Sequence, residues 1–131
     1  MLIEMKVSGL TIDPITNTPI VILKDLQENK AIPIWIGLFE ASAIATELEK
    51  IVFSRPMTHD LLDSVITTLG AKVERIVIND LRNHTFYARI VLSLNGRVVE
   101  VDSRPSDAIA LGAAAGSPIF VAEQVFDKIL G

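Results

Sequence analysis

Two residues, Asn95 and Gly96, constrain this chain more than any others. Before them, residues 85–94 alternate, with Phe86, Ala88, Ile90, Leu92 and Leu94 on one side and Tyr87, Arg89, Val91 and Ser93 on the other. After them, Val98 to Asp102 resumes the strand pattern. A two-residue Asn-Gly loop suits the turn that matches strand twist, and it can join strands only in antiparallel fashion. The returning strand then feeds the stretch Glu100 to Val121, where Asp102, Ser103, Arg104, Pro105, Ser106 and Asp107 precede an Ala-rich helix over 105–115. Pro105 fits a first helical turn, Ser103 or Ser106 can cap it, and Asp107 suits the positive end of the dipole. Two carboxylates, an Arg and two hydroxyls therefore crowd one strand-to-helix corner. Taken alone this is a well-capped helix with an Asp–Arg pair; as a polar corner at a sheet end it is also where loops carry function.

The remaining chain reads as further strands and helices. Residues 2–12 form a strand whose apolar phase switches at Gly9, the mark of a bulge. Residues 19–25 are apolar on both faces, and residues 31–36 form a third strand in which Pro33 demands an edge or an irregular position. Trp35, the single Trp, reads as a packing residue. A helix over 38–51 places Ala41, Ile44, Ala45, Leu48 and Ile51 on one face, with Glu40, Glu47 and Lys50 elsewhere. Thr58 caps a second helix closed by Gly70, with Leu61, Leu62, Val65, Ile66 and Leu69 toward the core and His59 and Asp63 opposite. Residues 72–81 form a strand, with Asn79-Asp80 and Arg82-Asn83-His84 as a loop, 119–121 a short strand and 122–130 a short amphipathic helix. Residues 20–48 and 85–113 both read strand, turn, strand, helix, as a β-β-α duplication would. The expected fold is α+β: a mixed, mainly antiparallel sheet with packed helices, in one domain over 1–131.

At 131 residues the chain can bury a real core. Half of it is apolar and only 21% is charged, with mean hydropathy +0.44. No apolar run approaches the ~20 residues of a spanning helix, and the N-terminus lacks a signal-peptide core. The expectation is a cytoplasmic chain, without a membrane partner, whose apolar excess is covered by a homo-oligomer, most simply a dimer. The absence of cysteine excludes disulfides, thiolate-ligated zinc and thiol nucleophiles. A net charge of −4 and a pI near 5.1 argue mildly against an overall basic nucleic-acid footprint.

No phosphate-binding loop, dinucleotide fingerprint or nucleophile elbow is present. The two His residues lack metal spacing, and His59 at a helix start reads as a surface residue. The remaining chemistry lies in Glu40, Asp60, Asp63, Asp102 and Asp107, types that bind Mg²⁺ or Mn²⁺ when three or four oxygens converge.

Several segments resemble a known family. RPMTHDLL at 55–62, VDSRPSDAIAL at 101–111, NTPIVIL at 17–23, IPIWIG at 32–37 and NHTFYARI at 83–90 are similar to segments of the bifunctional nuclease family. The resemblance runs from about residue 5 to residue 126. It implies a compact α+β domain and cleavage of both DNA and RNA. Carried over position by position, the matching polar residues are Glu40, Arg55, Thr58, His59, Asp60, Asp102, Arg104, Ser106 and Asp107.

Together these observations lead to a metal-assisted nuclease acting on phosphodiester bonds. Glu40, Asp102 and Asp107 are the expected ligands of a divalent metal (Mg or Mn), and His59 with Asp60 the general base or leaving-group acid. Arg55 and Arg104, with Ser106, are expected to bind the substrate phosphate, because a guanidinium meets phosphate oxygens two at a time. The alternative is a non-catalytic oligomeric interaction or regulatory module in which the Arg–Asp corners are internal ties.

Overall fold

The computed structural model describes residues 1–130 and contains one seven-stranded sheet and four helices. In chain order these are β1 (Leu2–Ile12), β2 (Pro19–Asp25), β3 (Ala31–Trp35), α1 (Leu38–Leu48), α2 (Thr58–Thr68), β4 (Ala71–Arg82), β5 (Thr85–Leu94), β6 (Arg97–Ser103), α3 (Pro105–Ala115), β7 (Ile119–Ala122) and α4 (Glu123–Leu130). The strand order is β3-β2-β1-β7-β4-β5-β6. Every neighbouring pair is antiparallel except β4 with β7. The fold is therefore α+β, with the mixed and mainly antiparallel sheet that the strand patterns predict. Among the described residues, no helix is long and apolar enough to cross a membrane.

Local chemistry sets much of this. Leu94 pairs with Arg97 across the Asn95–Gly96 turn, whose residues both have positive φ, at 51° and 77°. The β4–β5 hairpin turns in the same way through Asn83 and His84, both at positive φ, while Asn79 and Asp80, expected in the loop, belong to β4. The register of β1 on β2 slips between Val7 and Gly9, where the apolar phase changes. Pro33 lies on β3, an edge strand where a missing N–H is tolerated. The β2-β3-α1 and β5-β6-α3 units end the sheet at its two edges, and each helix is 11 residues long.

Helix α3 is the buried helix of the layer, with Ala108 to Gly112 all in the core. Its small residues let it approach the sheet closely: a Cβ at Gly112 would stand 2.8 Å from Ile76 Cγ1. Gly116 ends it in the left-handed conformation at φ 71°, and Ser117 N–H donates to the Gly112 carbonyl at 2.8 Å. Ile44 and Ile109 are both fully buried.

Several expectations are corrected. Helix α1 stops at Leu48, because Lys50 turns to φ 55°; Ile51 lies outside it and is exposed. Neither Thr58 nor the serines supply caps: the N-cap positions are Met57 and Arg104, and Ser103 Oγ donates to the Arg104 carbonyl instead. Trp35 is half exposed, its indole N–H donating to Asp13 Oδ2 at 3.0 Å. The largest correction concerns α2. Leu61, Leu62, Val65 and Leu69 are exposed and Ile66 is half-buried, whereas His59 is only 7% exposed. This helix sits on α3 and β4, and Leu62 faces a cleft. A stripe left largely uncovered has the same sequence period as one that faces a core.

Candidate functional site

The N-terminal ends of α1, α2 and α3 meet beside the end of β6 and enclose a cleft of about 920 Å³. Phe39, Glu40, Ser42 and Ala43 come from α1, Thr58, His59 and Leu62 from α2, and Arg104, Asp107 and Ala110 from the α3 corner. Val101, Asp102 and Ser103 of β6 close it below. A smaller hollow of about 330 Å³, bounded in part by His84, Phe86 and Ser106, lies across Glu40 and Arg104, which line both.

Two polar centres stand on the larger cleft. At the first, Arg104 holds Asp107 with two hydrogen bonds, Nε to Oδ2 at 2.8 Å and Nη2 to Oδ1 at 3.1 Å. Its Nη1 also lies 3.1 Å from Glu40 Oε1, so one guanidinium ties α3 to α1. These carboxylates, Asp107 first, push the Arg104 pKa up. Arg104 is nonetheless 66% exposed at its side chain, so the pairs are screened and exchangeable.

At the second, His59 Nε2 lies 2.9 Å from Glu47 Oε1 and 3.8 Å from Asp60 Oδ1. Glu47 comes from the last turns of α1, while His59 and Asp60 come from the first turn of α2. Asp60 Oδ2 accepts the Met57 backbone N–H at 3.3 Å, serving the helix start and leaving Oδ1 toward the imidazole. The Glu47 carboxyl is held above its usual range, first by burial and then by the Asp60 carboxylate, with His59 acting the other way.

The sequence pattern of the bifunctional nuclease domain matches residues 21–130. The chain belongs to the bifunctional nuclease domain family. Two relatives, both given as uncharacterized proteins of Mycobacterium tuberculosis, one from strain CDC 1551 / Oshkosh and one from strain ATCC 25618 / H37Rv, are each 38% identical over 122 residues. That span covers 93% of this chain and 73% of each relative.

Within this bifunctional nuclease domain, Glu40, Thr58, His59, Asp102, Arg104 and Asp107 share the walls of the larger cleft. Asp60 stands behind His59. Ser106 is buried and lines the smaller hollow. Arg55, in the segment before α2, lies outside the residues that wall either hollow. Of the three carboxylates read as a metal set, Glu40 and Asp107 are joined through Arg104 rather than facing a common point. Asp102 is exposed on β6 opposite Arg89 and has no ion-pair partner among the described residues. Asp63 is half-buried and belongs to neither centre.

Two features escaped the sequence reading. His59, expected at the surface, is buried, with its Nε2 hydrogen-bonded to Glu47 Oε1 at 2.9 Å. Glu47 stands in the sequence only as one of three charges off the apolar face of its helix. The available signal was its distance of seven residues, two helical turns, from Glu40, which puts both on the side of α1 that meets the polar centres.

Proposed function

We propose that this chain hydrolyses phosphodiester bonds of DNA and RNA in the larger cleft. The observation that carries the reading is the pairing, on one cleft, of an exposed guanidinium with a buried histidine held by a carboxylate. Arg104 receives the phosphate, exchanging its exposed carboxylate contacts for phosphate oxygens that match its planar fork. The group around His59 activates the attacking water at the cleft wall. Asp102 and Thr58 line the space between and orient the sugar–phosphate backbone. The Arg104 pairs with Glu40 and Asp107 favour phosphate over a cation at that corner, since a cation there has first to displace the guanidinium. The family's name supports nucleic acid as the substrate class.

The test is cleavage of labelled single- and double-stranded DNA and RNA by the purified full chain. Arg104→Ala and His59→Asn, checked for retained folding, are each expected to reduce cleavage about 100-fold or more, the lower end for an electrostatic donor and for an acid–base group alike. Full cleavage by Arg104→Ala and His59→Asn would overturn the assignment of this cleft.

A second reading concerns assembly. The apolar residues of β2 are largely covered within the chain, so uncovered apolar surface lies elsewhere. The edge strand β6 is open along its length, and Val98 is 69% exposed. We infer a homodimer formed by antiparallel pairing of two β6 edges, which satisfies an unpaired row of backbone groups. Sedimentation of the wild type and of Val98→Asp tests it: a dimer is expected for the first and a monomer for the second. A wild-type monomer at micromolar concentration sinks it.

A further inference from the structure

The group around His59 carries more than a hydrogen bond. Its three donor atoms, one imidazole nitrogen and one oxygen from each of two carboxylates, lie within 4.8 Å of one another. They come from two helices that each pack on α3, so tertiary packing, not a local turn, brings them together. Asp60 is needed at the helix start only through Oδ2; Oδ1 has no backbone donor among the described residues. No Lys or Arg stands within ion-pair distance of Glu47 or Asp60 among the described residues, although Glu40 and Asp107 are both answered by Arg104. Two carboxylates and a 93% buried imidazole thus share one corner without a fixed cation.

We propose that Glu47, His59 and Asp60 form a site for a divalent transition-metal ion. One nitrogen and two carboxylate oxygens are the mixed donor set that Zn²⁺ or Mn²⁺ takes, and three protein ligands leave positions open for water. Metal–ligand bonds of about 2.0–2.2 Å set neighbouring donors roughly 3–3.5 Å apart, so Nε2 and Glu47 Oε1 need to open by only a few tenths of an ångström. Asp60 Oδ1 closes by a similar amount. His59 lines the cleft that Arg104 also lines, whereas Glu47 and Asp60 do not line it, so the cation would lie at the cleft wall. Metal binding stands without the hydrolase reading. Only the catalytic use of the cation, supplying the activated water, rests on that reading.

The experiment uses the full chain stripped with chelator. Mn²⁺ is titrated by electron paramagnetic resonance and Zn²⁺ by calorimetry, and folding of each variant is followed by circular dichroism. A single equivalent is expected to bind the wild type. Glu47→Gln and His59→Asn should weaken binding at least about tenfold, the smallest loss seen when metal sites are disturbed. Asp107→Asn should bind as the wild type does. Bound Mn²⁺ should broaden the ring signals of His59 more strongly than those of His84. Absence of wild-type binding at millimolar Mn²⁺ and Zn²⁺ overturns the site whatever the variants do. So does unchanged affinity in both folded variants, or loss of binding in Asp107→Asn, which would put the cation at the Arg104 corner. A cation bound as expected, with no nucleic acid cleaved, would instead overturn the hydrolase reading and leave the metal site standing.

Discussion

Replacing Gly112 with Ala tests how closely α3 lies on the sheet. Two effects oppose each other. Alanine is better than glycine inside a helix by about 0.8–1.0 kcal/mol. Against this, the added Cβ would stand 2.8 Å from Ile76 Cγ1, well inside normal contact. Ile76 is fully buried on a central strand, and Cγ1 is a branch carbon rather than a flexible chain end, so it has little room to yield. Overpacking of this kind costs about 1–3 kcal/mol. The clash should win, leaving Gly112→Ala less stable by up to roughly 2 kcal/mol once the propensity gain is subtracted. For a chain of this length about 1 kcal/mol shifts the melting temperature by roughly 4 °C, so a fall of up to about 8 °C is expected. The sign should reverse when the clash is removed. Ile76→Ala alone should cost about 2–5 kcal/mol. In that background Gly112→Ala should stabilise by up to about 1 kcal/mol, because the Cβ enters vacated space and the propensity gain remains. Thermal and urea unfolding of the four proteins measures the coupling, which should exceed the ~0.5 kcal/mol error of additivity. A rise in stability for Gly112→Ala in the wild type, or equal losses in both backgrounds, would refute the close approach.

Three further outcomes are expected. Gly96→Ala should destabilise by about 1 kcal/mol or more, since the residue sits at φ 77°, where an L side chain is strained; unchanged urea unfolding would refute the tight-turn assignment. Asp107→Asn should lower the melting temperature by no more than a few degrees, because its pair with Arg104 is exposed and Asn retains no charge to be missed by a buried partner; a collapse of stability would show a buried tie instead. Asp80 has its pKa lowered, first by the Lys128 hydrogen bond and then by the Leu81 N–H, so its contribution is present above the unfolded carboxylate pKa and is lost as pH falls through the lower folded value. Stability measured from pH 6 down to about 2 should therefore fall less steeply in Asp80→Asn than in the wild type; parallel curves would remove Asp80 from the acid response.

How much of this was legible in sequence follows from the range of the forces involved. The Asn95–Gly96 hairpin, the Gly9 bulge, the edge position of Pro33 and the start and end of α3 were all readable, because each depends on the dihedral freedom of a few adjacent residues. The α+β class followed from the alternation of strand and helix periods. The membership of Arg104 and Asp107 in one corner was readable too, being three residues apart at a helix start. What sequence could not show was which faces meet. Periodicity marks an apolar stripe on α2, but only the packing of α2 beside α3 leaves Leu61, Val65 and Leu69 exposed and turns His59 inward. Glu47 lies twelve residues from His59, with a helix end and a loop between, and only tertiary packing makes it the partner of that imidazole. Glu40 likewise reaches Arg104 from a separate helix 64 residues away in the chain. Local sequence determined the elements and their turns, since those are settled within a few residues. The polar centres belong to the tertiary structure, because the charges and hydrogen bonds that build them act across space between segments whose separation no local pattern encodes.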